Sequence, residues 1–127
     1  MIDSEHLYDD FFDLVNDIVT EFKHLKPKRF IDLEELYDDR YYITLSRTVF
    51  IVVNGYTGHL NSIQIYRNNH LNYDITTNEG IEAYCDNNLA NMPHSDLLFE
   101  FKNEGTSIKT KDILLILKHE LARIDIT

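Results

Sequence analysis

Between Asp3 and Lys26 two patterns run along one stretch of chain, and together they leave few folds open. Leu7, Phe11, Leu14, Val15, Ile18, Phe22 and Leu25 recur at spacings of three and four. At 100° per residue that spacing draws one apolar stripe along a helix, and the stripe has to be packed against something. Glu5, Asp9, Asp13, Asp17 and Glu21 recur every four residues on another side, with Asp10 beside them. Asp3 and Ser4 are suited to cap the helix, and early carboxylates suit its positive end. The later ones do not help it: each like-charged pair four apart costs an isolated helix about 0.2–0.5 kcal/mol. Burial of a single Leu or Phe is worth about 1.5–3 kcal/mol, so the stripe outweighs the ladder. Pro27 ends the element by disfavouring helical geometry at Lys26.

The remaining chain supplies what the stripe packs on. A basic hinge, Lys26-Pro27-Lys28-Arg29, leads into Phe30 to Asp39, which reads as a short helix or helical turn. From Tyr41 the period changes to two: Ile43, Leu45, Val49, Ile51 and Val53 alternate with Tyr42, Thr44, Ser46, Phe50 and Val52, a strand pattern in which Arg47 marks either a break between two strands or a bulge. Asn54-Gly55 signals a hairpin, and Gly58 allows a longer loop instead, so the register stays open. His59 to Arg67 reads as the return strand, with Ile63 and Ile65 inward, and Leu71 to Thr76 as another. Thr77 caps a helix running to about Leu89. Leu97, Phe99 and Phe101 alternate as a strand, although Ser95 and Gly105 also fit a short helix. Thr110 caps a last helix with Ile113, Ile116, Leu117, Leu121 and Ile124 as its stripe. The expected fold is α+β: one domain over 1–127, an antiparallel sheet of about three to five strands, a long N-terminal helix, a middle helix and a C-terminal helix.

Charge narrows the function. The formal charge is −10, and residues 1–39 hold 12 Asp/Glu against 4 Lys/Arg where residues 40–127 hold 10 against 8. A negative field of this kind disfavours nucleic acid and anionic membranes as direct partners and favours basic proteins. No run of 18 apolar residues occurs, the N-terminus is acidic where a leader would be basic, and Cys85 stands alone, so a soluble cytoplasmic protein is expected.

Motifs for catalysis are sparse. The six histidines and Cys85 form no metal-ligand spacing; His119-Glu120 opens like a zinc-protease motif, but Arg123 occupies the second histidine's place. No Gly-rich phosphate loop occurs. Glu100-Phe101-Lys102 resembles the E-x-K element that metal-dependent nucleases of the restriction-enzyme type carry on a strand, which implies Mg²⁺ on carboxylates, with Asp74 or Asp86 as a second ligand, and Lys102 assisting the attacking water. The charge opposes that reading, since such an enzyme would repel its substrate.

The surface expected to act is therefore acidic. Residues four apart rise about 6 Å along a helix, near the spacing of successive phosphates, so the ladder can occupy a basic groove built for a nucleic-acid backbone. Glu5, Asp9, Asp10, Asp13, Asp17 and Glu21, the second cluster Asp32, Glu34, Glu35, Asp38 and Asp39, and the adjoining Tyr37 and Tyr41 form the expected partner-binding set. The bland reading of the same residues is a solvated helix face and half-buried strand tyrosines. The function expected is that of a non-enzymatic inhibitor without cofactor or metal. It would block a basic, nucleic-acid-handling protein such as a nuclease, by nucleic-acid mimicry, in a toxin-immunity, antitoxin or phage anti-defence setting. An Mg²⁺-dependent nuclease and a structural subunit forming a homo-oligomer are the alternatives.

Overall fold

The computed structural model describes residues 4–32, 38–56, 59–69, 73–88, 95–103 and 110–126, with side chains described over 13–29, 40–55, 60–69, 73–84, 96–103 and 111–126. Helix α1 spans Ser4–Glu21. Strands β1 (Lys28–Asp32), β2 (Asp38–Thr44), β3 (Val49–Tyr56) and β4 (His59–Asn68) follow. Helix α2 (Asn78–Asn88), strand β5 (Ser95–Lys102) and helix α3 (Thr110–Ala122) complete the order. The strands form one antiparallel sheet in the order β1-β2-β3-β4-β5. The fold is α+β.

The sheet is packed on both faces. Alternation in β3 sends Val49, Ile51 and Val53 to one side and Phe50 and Val52 to the other. On the first side Leu14, Val15 and Ile18 of α1, Phe22 just after it, and Ile113, Leu117 and Leu121 of α3 close over Ile43, Ile51, Ile63 and Ile65. On the second, Ile81 and Tyr84 of α2, with Ile75, cover Tyr42, Phe50 and Val52. The described stripe residues of α1 and α3 and the inward Ile63 and Ile65 agree with the periodicities. Segment Ser95–Lys102 is a strand, but its expected Leu97, Phe99, Phe101 alternation fails at Leu97, which is 52% exposed where the β4–β5 ladder shifts between Ile65 and Tyr66.

Several expectations need correction. The first helix stops short of Lys26: a 3-10 turn over Lys23–Leu25 follows, and Lys26 takes a left-handed conformation (φ 55°, ψ 54°) with its N–H donated to the Lys23 carbonyl. Pro27 keeps Lys26 out of the right-handed helical region and so ends the 3-10 turn there. Residues 28–32 form no helix. They are edge strand β1, paired Phe30 to Tyr42 and Asp32 to Arg40, because the free edge of β2 offers a ladder that outweighs weak local preference. Asn54-Gly55 is not the hairpin turn; it lies within β3 at a bulge, and the last pair of the β3–β4 ladder is Tyr56 with His59. Residues 73–76 are turn, not strand.

That turn fixes α2. Thr76 donates its N–H and hydroxyl to Asp74 Oδ1, Thr77 N–H reaches the Asp74 carbonyl (3.1 Å), and Thr77 Oγ1 accepts the Gly80 N–H (3.1 Å), the expected N-cap. Asn68, 2% exposed, joins β4 to the same region by donating to the Arg47 and Tyr73 carbonyls. The Thr76 hydrogen bonds hold the Asp74 carboxyl below its usual range; burial opposes them, and Arg47 and Lys28 add smaller contributions in the same direction as Thr76. A depressed carboxyl stabilises the fold above its unfolded pKa and loses that contribution as pH falls through the folded value. Asp74→Asn should therefore lower stability at neutral pH and flatten its fall below the ordinary carboxylate range; parallel urea titrations at neutral and acid pH measure this.

Candidate functional site

The acidic face of α1 is built by the same helix that seals the core. Leu14, Val15 and Ile18 are at most 2% exposed, whereas Asp13, Asn16 and Asp17 between them are exposed. Among the described residues neither Asp13 nor Asp17 has an ion-pair partner. Glu21, the last rung, differs: its carboxylate lies 2.9 Å from Lys118 Nζ of α3. The ladder is thus compensated at one end by a base that no i±4 rule could find. An exposed pair of this kind contributes at most about 1 kcal/mol.

The other expected site residues fall out as follows. Glu5, Asp9 and Asp10 lie on α1, Asp32 ends β1, and Asp38 and Asp39 open β2, with their side chains outside the described residues. Glu34, Glu35 and Tyr37 lie wholly outside them. Tyr41 is corrected: at 3% exposure it belongs to the α1–α3 core. Alternation in β2 points it inward with Ile43, so the surface excludes it.

A second polar grouping crosses the sheet on the α2 side, next to the part that α2 covers. Arg40 Nε donates to Asn54 Oδ1 (2.9 Å), Asn54 Nδ2 to Gln64 Oε1 (2.7 Å), and Gln64 Nε2 to Glu100 Oε2 (2.9 Å). Guanidinium only donates and carboxylate only accepts, so the two ends fix both amide orientations. Ser62 Oγ accepts from Asn54 and from Gln64, both at 3.0 Å. Ser62 and Gln64 are 7% and 9% exposed. Burial and the Glu100 charge push the Tyr66 phenol upward against Arg40, so it stays protonated at neutral pH.

This grouping contains the E-x-K pair. Lys102 Nζ sits 3.8 Å from Glu100 Oε1, on the same face. Asp74 does not join them, since its carboxylate is engaged by Thr76 and lies 3.9 Å from Arg47; Asp86 has its side chain outside the described residues. Among the described residues no three His, Cys, Asp or Glu side chains gather as a metal site, and no helix is long and apolar enough to cross a membrane. The polar row was missed in the sequence because Asn54, Ser62 and Gln64 carry no local signal; only strand pairing brings them together.

Comparison with known proteins leaves the chain alone: no family model, no curated protein and no solved structure matches it.

Proposed function

We propose that this chain is a small acidic inhibitor that uses the outer side of α1 to bind and block a basic, nucleic-acid-handling protein. The observation that carries the reading is the placement of Asp13 and Asp17, exposed and without a described cation, back to back with the buried Leu14, Val15 and Ile18. Their charge is not used by the fold, so it is available to a partner's lysines and arginines. The reading extends the ladder along α1 as one long helix through Glu5, Asp9 and Asp10, and onward to Asp32, Glu34, Glu35, Asp38 and Asp39. It assigns the chain no catalysis, and a cytoplasmic setting of the toxin-immunity, antitoxin or phage anti-defence type.

The test is capture from native lysate with wild type and with the Asp13→Lys, Asp17→Lys double variant, followed by salt titration of the captured protein. Reversal at exposed positions should leave stability within about 0.5 kcal/mol. It should weaken partner binding by about a hundredfold or more, the scale of two opposed interface charges. Salt should weaken the wild-type complex steeply. Equal capture by both proteins at every salt concentration overturns the reading.

A further inference from the structure

The sheet ends on β5, and among the described residues no strand lies beyond it. Asn103 N–H donates to the Asn61 carbonyl (2.9 Å), so Asn103, and with it Phe101 and Phe99, turn their backbone groups toward β4. Alternation then points the N–H and C=O of Glu100 and Lys102 away from the sheet. Both residues are exposed, and their side chains share the α2 side, with Lys102 Nζ 3.8 Å from Glu100 Oε1. Phe101, paired with Ile63, faces the other side and is only half-buried. The opposite edge differs. Strand β1 is shorter, follows directly on Pro27, and has its Arg29 guanidinium turned onto Asn16 Oδ1 of α1.

We infer that β5 is the pairing edge for a second copy of the chain, joining two sheets into one antiparallel sheet about a two-fold axis at Phe101. An open edge is a template for another strand, and a two-fold contact must be self-complementary. With the axis at Phe101, Glu100 of each copy stands opposite Lys102 of the other. These are the residues whose backbone groups point outward, so each pair exchanges both of its N–H···O bonds. On the α2 side acid meets base across the strands, a favourable arrangement where like charges would repel. On the other side the two Phe101 rings meet in a non-hydrogen-bonded pair, the closer of the two kinds. An axis at Glu100 would set that carboxylate against itself. An axis at Phe99 would set Glu100 against Leu98, at the shift in the β4–β5 ladder. Charge therefore selects both register and occupant: a second copy supplies an acid and a base in matching order by symmetry alone. The net charge of −10 opposes this weakly at physiological ionic strength, where charges farther apart than about 8 Å are largely screened. A ladder from Phe99 to Asn103 buries little area, so the dimer is weak and concentration-dependent. The inference is independent of the inhibitor reading, which uses α1.

Sedimentation equilibrium of the purified chain up to millimolar concentration tests it. The apparent mass should rise from 15.0 kDa toward twice that value. Lys102→Pro removes an N–H that β4 does not use, a change that an edge strand accepts; with a wild-type circular dichroism spectrum it should stay monomeric throughout. Glu100→Lys and Lys102→Glu, each folded by the same criterion, should stay monomeric alone and form a heterodimer when mixed, because the reversed charge of each then faces its opposite. The double exchange Glu100→Lys, Lys102→Glu should dimerise as wild type does. A constant monomer mass for wild type overturns the inference. So does a dimer that persists in Lys102→Pro, or a mixture of the two single variants that fails to associate.

Discussion

Phe50→Ala is expected to lower the unfolding free energy by about 3–5 kcal/mol, the largest single-residue effect anticipated in this chain. Phe50 is fully buried at the centre of the α2-side core. Its ring stacks on Tyr66 (5.5 Å), meets Tyr84 of α2 edge-on (5.7 Å) and tilts against Tyr42 (6.4 Å). Aromatic contacts of this kind add about 0.5–1.5 kcal/mol each beyond area burial. Against a typical domain stability of about 5–15 kcal/mol the loss is a large fraction. Since Phe50 serves α2 while the opposite side of β3 serves α1 and α3, amide exchange should accelerate in α2 more than in α3. A uniform acceleration would mean that the two cores are not separable.

Gly80→Ala is the second large effect, through addition rather than removal of a methyl group. A Cβ on Gly80 would lie 1.8 Å from the Asp74 carbonyl oxygen, 2.5 Å from its carbon and 2.9 Å from Thr77 Oγ1. The first two are backbone atoms held by the Thr77 N-cap, so no side-chain rotation relieves the clash. Overpacking costs about 1–3 kcal/mol, or more where backbone must move, and exceeds the gain of about 1 kcal/mol that alanine brings to a helix. Asn78→Ala, two residues earlier and exposed, should stay within about 0.5 kcal/mol. Urea midpoints of the two variants give the comparison directly; equal midpoints would show that the Asp74 turn does not hold α2 as described.

Both effects concern a layer that sequence reading places only in part. The cap at Thr77 and the apolar Ile81 and Tyr84 mark α2, because helix starts and stripes are local signals. What α2 packs on was also written locally, in the unbroken apolar run Val49–Val53, which marks a strand buried on both faces. The stripes of α1 and α3 are legible for the same reason as α2. Strand β1 is not, because Lys28, Arg29 and Asp32 around Phe30 and Ile31 describe an edge whose pairing comes from β2. Asn54-Gly55 carries the strongest short hairpin signal, yet it lies at a bulge within β3, and the β3–β4 ladder runs on to Tyr56 and His59. On the candidate surface, the exposure of Asp13 and Asp17 follows from the stripe opposite them, whereas Lys118 meeting Glu21 and Arg29 meeting Asn16 depend on how distant elements pack.

The row from Arg40 through Asn54 and Gln64 to Glu100 has a consequence for how the sheet assembles. It places one member on each of β2, β3, β4 and β5, and each hydrogen bond exists only in one alignment of its two strands. A slip of one residue in any of them would turn a member to the other face. There it would meet the apolar core with its amide or charge unsatisfied, at about 1–3 kcal/mol or more per group. The apolar rows of β3 and β4, rich in valine and isoleucine, could tolerate a two-residue slip with little penalty. The amide row tells such alignments apart, and so acts as a combination lock that only the native pairing of four strands opens.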